Sequence, residues 1–212
     1  MKNRLHDKKA GIFILVSLII ISVAELIFRA LVVGERVFTT PNLGEQLVVI
    51  GLALTILILT AMGKNRVCYI LYGAWIGYFV LDQLFELPSA ILTGFTLISQ
   101  SGWRFNLGDI GSVCIVIGMV GVVALGALLL EYMNDGSIYN RAFNFICVID
   151  ILVFIVGVII PFDGVFNAGG DPIILLTTFN NLYCIAMVFL FAFFAYDSAK
   201  KQLSKVDFGS TK

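Results

Sequence analysis

Charge is scarce in this chain. Asp, Glu, Lys and Arg together make up 13% of its 212 residues, against about 25% in a typical soluble domain. Histidine is nearly missing: the single one, His6, sits in a charged head segment. That excludes a histidine-based nucleophile relay or a zincin-type zinc site inside the apolar part of the chain. The four cysteines, Cys68, Cys114, Cys147 and Cys184, fall one each in four different apolar segments with no CxxC spacing. They read as small packing residues rather than metal ligands or disulfide partners. No Gly-rich phosphate loop of the GxGxxG or P-loop type occurs. The prolines number four, Pro41, Pro88, Pro161 and Pro172, and are expected outside the apolar spans, where a missing backbone donor costs least.

What the sequence has instead is hydrocarbon: 59% hydrophobic residues and a mean hydropathy of +0.99. A span of the ~30 Å bilayer core takes about 20 apolar residues. Six segments qualify, 10–33, 46–63, 67–87, 108–130, 142–160 and 173–196. The expected fold is an all-α polytopic transmembrane bundle of about six spans, fewer if the short second and third segments are demoted. The whole chain reads as one transmembrane domain, since no loop is large enough to bury a core of its own. The basic head followed by IFILVSLIII resembles a targeting signal, but the apolar run continues to Val33, past the usual 7–15 residues. It is therefore expected to be a retained first span.

Positive charge sets the orientation. The head, the 63–66 loop, the 131–141 loop and the tail hold eleven Lys and Arg, against Arg36 and Arg104 in the alternate loops. The positive-inside rule then places both termini in the cytoplasm, with the cytoplasmic (inner) membrane as the expected location. The stretch 88–107, PSAILTGFTLISQSGWRFNL, is broken by polar residues and is expected to lie in the interface or to re-enter as a loop.

The informative residues are polar ones inside the spans. In GYFVLDQLFELP, Asp82 and Glu86 are one helical turn apart, and Trp75 and Phe79 share their stripe with Tyr72 and Tyr78 on its flanks. In AELIFR, Glu25 and Arg29 stand at i, i+4 and can pair with each other, or Arg29 can reach Asp82. Together with Asp109 these form a candidate intramembrane polar cluster. One reading is a vestibule for a cation, because clefts lined by one sign of charge concentrate counter-ions. The other is a packing pair plus acids left on the outer side by positive-inside sorting. Asp150 and Asn180–Asn181 also lie in apolar surroundings, and interhelical hydrogen bonds explain such residues, Asp150 least comfortably. Gly73, Gly77, Gly111 and Gly118 mark helix-packing faces, within one chain or between copies.

These features suggest two functions. The first is a non-enzymatic membrane sensor or scaffold that homo-oligomerises through its glycine faces. Arg141, Lys200, Lys201 and Lys205 would contact a cytosolic protein partner, with no direct nucleic-acid contact and no cofactor. The second is a small-solute or ion transporter, or the substrate-binding membrane subunit of one, that uses the acidic and aromatic stripe. Gly108-Asp109 and Tyr196-Asp197 look like fragments of an intramembrane aspartyl protease. Their order is reversed, however, and the topology puts the two carboxylates on opposite sides of the membrane. In length, helical-membrane character and Ile/Phe/Asn-rich style, the chain resembles the membrane subunit of the bacterial Kiwa anti-phage defence system. That resemblance is one of overall character over the whole chain and assigns no site residues. It implies an inner-membrane homo-oligomer that detects phage infection at the envelope and works with a cytosolic, DNA-binding partner subunit.

Overall fold

The computed structural model describes residues 2–33, 42–101, 107–135, 141–166 and 175–209. These form six long helices: α1 (Lys2–Val33), α2 (Asn42–Ala61), α3 (Asn65–Ser101), α4 (Leu107–Asp135), α5 (Arg141–Phe166) and α6 (Leu176–Gly209). Each contains a segment long and apolar enough to cross a membrane, so the protein is an all-α, multi-pass helical bundle. We call the end of the bundle that carries the turn between α2 and α3 the turn end and the opposite side the distal end.

Helix packing follows the chain almost in a ring, α2 on α1, α1 on α6, α6 on α5, α5 on α4 and α4 on α3, while the last seam, α2 on α3, closes only sparsely. The helix α6 is central: 56% of its spanning segment is buried, against 17% for α2. Its sequence explains this, since LYCIAMVFLFAFFAY is apolar all round, as a helix in the middle of a bundle must be. Its aromatic side chains meet α3 at three places, Phe194 on Tyr69, Phe193 on Tyr72, and Tyr183 and Phe191 on Phe79.

The hairpin between α2 and α3 is closed by a glycine in the left-handed region, Gly63 at φ +74°. The Gly63 amide donates to the Thr60 carbonyl at 3.1 Å and the Lys64 amide to the Leu59 carbonyl at 2.9 Å. This is the Schellman pattern, which caps the last carbonyls of a helix and needs a residue free of Cβ strain at that position.

Two expectations about proline need correction. Residues 88–101, expected to form an interfacial or re-entrant loop, continue α3 as helix straight through Pro88; residues 102–106 of that expected loop lie outside the described residues. Three of its hydroxyls bond back to the helix. The Ser89, Thr96 and Ser99 hydroxyls donate to the carbonyls of Glu86, Leu92 and Thr96 at 2.7, 2.8 and 2.9 Å. Hydroxyls folded back in this way add no unmet polarity to a helix, and Gly94 of this stretch lies against Val116 of α4.

Pro161, likewise expected beyond a span, lies inside α5. Lacking an N–H, it leaves the carbonyl four residues earlier, that of Gly157, without its helical donor. The replacement comes from α6: the Asn181 side-chain amide donates to the Gly157 carbonyl at 3.0 Å and to its own helix at Thr177 at 2.8 Å. The approach requires glycine, because a Cβ on residue 157 would stand 2.8 Å from the Asn181 Oδ1. We expect Asn181→Leu to cost about 1–3 kcal/mol by orphaning a buried carbonyl. Pro161→Ala, which restores the backbone donor, should remove most of that loss, as read from the unfolding of the single and double variants in detergent.

Candidate functional site

Because α2 turns toward α1 and α3 toward α4, the two helices splay from the Gly63 turn and leave a cleft of about 500 Å³ between them. From α2, Val48, Val49 and Leu52 form one wall; from α3, Leu71 and Ala74 form the other, and Tyr183 of α6 lies behind. Three carboxylates line the same space, Glu45 from α2 and Asp82 and Glu86 from α3, together with the aromatic side chains of Trp75 and Tyr78. The α3 contribution runs from Leu71 to Glu86, roughly 22 Å of helix at ~1.5 Å per residue. Its acids are at the distal end and its apolar lining is deeper. The cleft is acidic at the mouth and aromatic below.

The stripe read from the sequence divides at the structure. Trp75, Asp82 and Glu86 line the cleft, whereas Phe79 and Tyr72 turn inward to α6 and are core residues, 3% and 8% exposed. The aromatic that replaces them at the cleft is Tyr78, at i+3 from Trp75 and i−4 from Asp82. Glu45, outside the candidate cluster, joins it from α2. Trp75 links cleft and core by donating its indole N–H to the Tyr183 hydroxyl at 3.2 Å.

Of the two partners open to Arg29, the structure uses the internal one. Its Nε and Nη2 donate to one carboxylate oxygen of Glu25 at 2.8 and 2.6 Å. The other oxygen accepts from the Gln46 amide at 2.8 Å. Glu25 is 3% exposed, so this triad is a dry tie between α1 and α2. Among the described residues Asp82 pairs with no cation, and the neighbouring Gln83 amide donates to it at 3.4 Å. The three cleft acids therefore face one another with no basic side chain lining the cleft among the described residues.

The remaining candidates are dispersed. The side chains of Asp109, Lys200, Lys201 and Lys205 lie outside those described, and Arg141 is exposed at the start of α5. The packing glycines are used within the chain, Gly73 against Phe194, Gly111 against Ile160 and Gly118 against Phe154, while Gly77 faces open space. Among the described residues, no group of three or more His, Cys, Asp or Glu is placed to hold a metal ion. All four cysteines are free thiols.

Comparison of the chain with protein-family models, curated proteins and solved structures finds no match. The chemistry of the cleft is thus the ground for a functional reading.

The Glu25–Arg29–Gln46 triad generates a test. Truncating one member of a buried ion pair leaves the other charge uncompensated, typically at about 3–5 kcal/mol. We expect Glu25→Leu to be destabilising on that scale, and the Glu25→Leu/Arg29→Leu double variant to recover most of the loss. Near-additive losses in the double-variant cycle would contradict the pairing.

Proposed function

We propose that this protein is a small-solute membrane transporter, or the substrate-binding membrane subunit of one, whose ligand is an amphipathic organic cation held in the α2–α3 cleft. One observation carries the reading: Glu45, Asp82 and Glu86 converge on a single cleft that Trp75 and Tyr78 also line. Carboxylates at the mouth attract a cation, and their charge counts for more beside apolar walls than in bulk water. Aromatic faces bind the same ligand through its positive charge and its apolar body. A small inorganic ion would use the acids and leave the aromatic floor unused, whereas a hydrophobic cation uses both. The volume is that of an ordinary small-molecule site, about 300–1,000 Å³.

The sensor and scaffold reading, with its cytosolic partner and defence role, rests on the basic head, loop and tail. No side-chain geometry described for those segments favours it over the cleft. Its own test is affinity purification from the native host, where a stoichiometric soluble partner would support it.

The cleft is tested with tetraphenylphosphonium as probe and Trp75 as reporter, in a Trp103→Phe background that removes the second tryptophan. We expect saturable quenching that weakens about tenfold in Asp82→Asn, the equivalent of ~1.4 kcal/mol. Vesicle uptake of the probe above its passive flux into protein-free vesicles should also be lost in that variant although the protein still inserts. Quenching that does not saturate, or is unchanged in Asp82→Asn, would refute the reading.

A further inference from the structure

Far from the cleft acids in sequence, Asp150 occupies the middle of α5. It is 1% exposed, and neither of its carboxylate oxygens has a hydrogen-bond partner among the described residues. Its carboxyl group lies directly on the backbone of Gly121 in α4, in the space that a Cβ at that position would fill. Any residue but glycine there would displace the carboxyl. One turn along the same seam, Gly118 receives the ring of Phe154, whose Cζ would stand 2.6 Å from an added Cβ. The α4–α5 interface is thus shaped around Asp150, which it buries.

The neighbouring elements offer no compensating charge. Segments 113–130, 142–160 and 176–196, which form the facing parts of α4, α5 and α6, contain no Lys, Arg or His. The ionisable groups near Asp150 are Cys147 on its own helix and the buried Cys184 on α6; Cys184 also lies within electrostatic reach of Asp82 and Glu86. From α4, the backbone of Gly121 lies against it. The one basic residue in the interior of the first span, Arg29, is bound to Glu25. An ionised carboxylate in hydrocarbon with neither counter-charge nor donor is too costly to persist. The neutral acid costs far less to bury, since only the hydrogen bonds of its O–H and C=O are given up.

We propose that Asp150 is a proton-binding site within the membrane-spanning bundle, holding one proton while the α4–α5 seam is closed and releasing it only when that seam opens to water. The ligand is a proton, and the inference stands apart from the cleft reading. It gives the seam a defined chemical switch: closure needs the neutral acid, and loss of the proton favours the separated helices, where the carboxylate can be hydrated.

The test uses infrared spectroscopy of the full-length protein in lipid, comparing it with Asp150→Asn and Asp150→Leu. Both are near in size to the acid and neutral, so both should fold if the site is neutral. The folded protein at neutral pH should show a protonated-carboxyl C=O band that either substitution removes. As pH is raised through the loss of that band, backbone hydrogen exchange at 118–125 and 147–154 should accelerate beyond its intrinsic pH dependence in the parent protein and not in Asp150→Asn. Failure of both variants to fold, or a band that survives both substitutions, would overturn the proton site. Exchange that accelerates equally in Asp150→Asn would overturn its link to seam opening.

Discussion

Every backbone polar group inside a bilayer must be satisfied from within the protein, and the structure depends on how this chain meets that constraint. The solutions differ in kind. Two short hydroxyls are handled locally: those of Ser17 and Thr55 donate to carbonyls four residues back, at 2.9 and 2.7 Å. Longer polar side chains are handled between helices, and these fix which helices are neighbours. Asn181 ties α6 to α5 at the carbonyl that Pro161 orphans, and Glu25 ties α1 to α2 through Gln46. In lipid there is little hydrophobic drive between apolar helices, so such ties and the close glycine contacts carry pairing information that Leu and Ile cannot.

Glycine and the bulky partners opposite it form the second half of that code. In α4 the glycines Gly111, Gly118, Gly121 and Gly126 meet Ile160, Phe154, Asp150 and Val80 respectively. Three point at α5 and one at α3, so α4 is wedged between its two chain neighbours. This accounts for residues that could equally have formed a seam between copies. A large side chain from the same chain fills each space, leaving Gly77 among the packing candidates without a neighbour.

Much of this was legible in the sequence, because hydrocarbon length and helical period are strong signals. The helices and their order follow from runs of about 20 apolar residues. What misled was punctuation. Pro88 and Pro161 read as breaks, yet a proline removes one donor only, and a hydroxyl-rich continuation or an asparagine on the next helix can absorb that loss. The acidic and aromatic stripe of α3 was visible at 100° per residue, but a wheel drawn on one helix cannot say where its lipid, core and cleft sectors divide. Phe79 and Tyr78 therefore exchange roles, and Glu45 is recruited from a helix whose approach depends on tertiary packing. Asp150 showed its oddity early; its glycine partner is nearly thirty residues away and becomes apparent only when α4 and α5 are side by side.

The open α2–α3 seam is the counterpart of these ties. On α2, Glu45 and Gln46 are successive residues and so project about 100° apart. Gln46 reaches α1 and holds on to Glu25. Glu45 faces the cleft, where Asp82 and Glu86 carry the same sign. One residue thus draws α2 toward α1 while its neighbour is repelled from α3, and like charges beside an apolar wall repel more strongly than they would in water. The Gly63 turn fixes the other end of both helices, so the outcome is a wedge rather than a separation. A cation in that wedge, the ligand we propose for it, would offset the like charges that Glu45, Asp82 and Glu86 bring to its two walls.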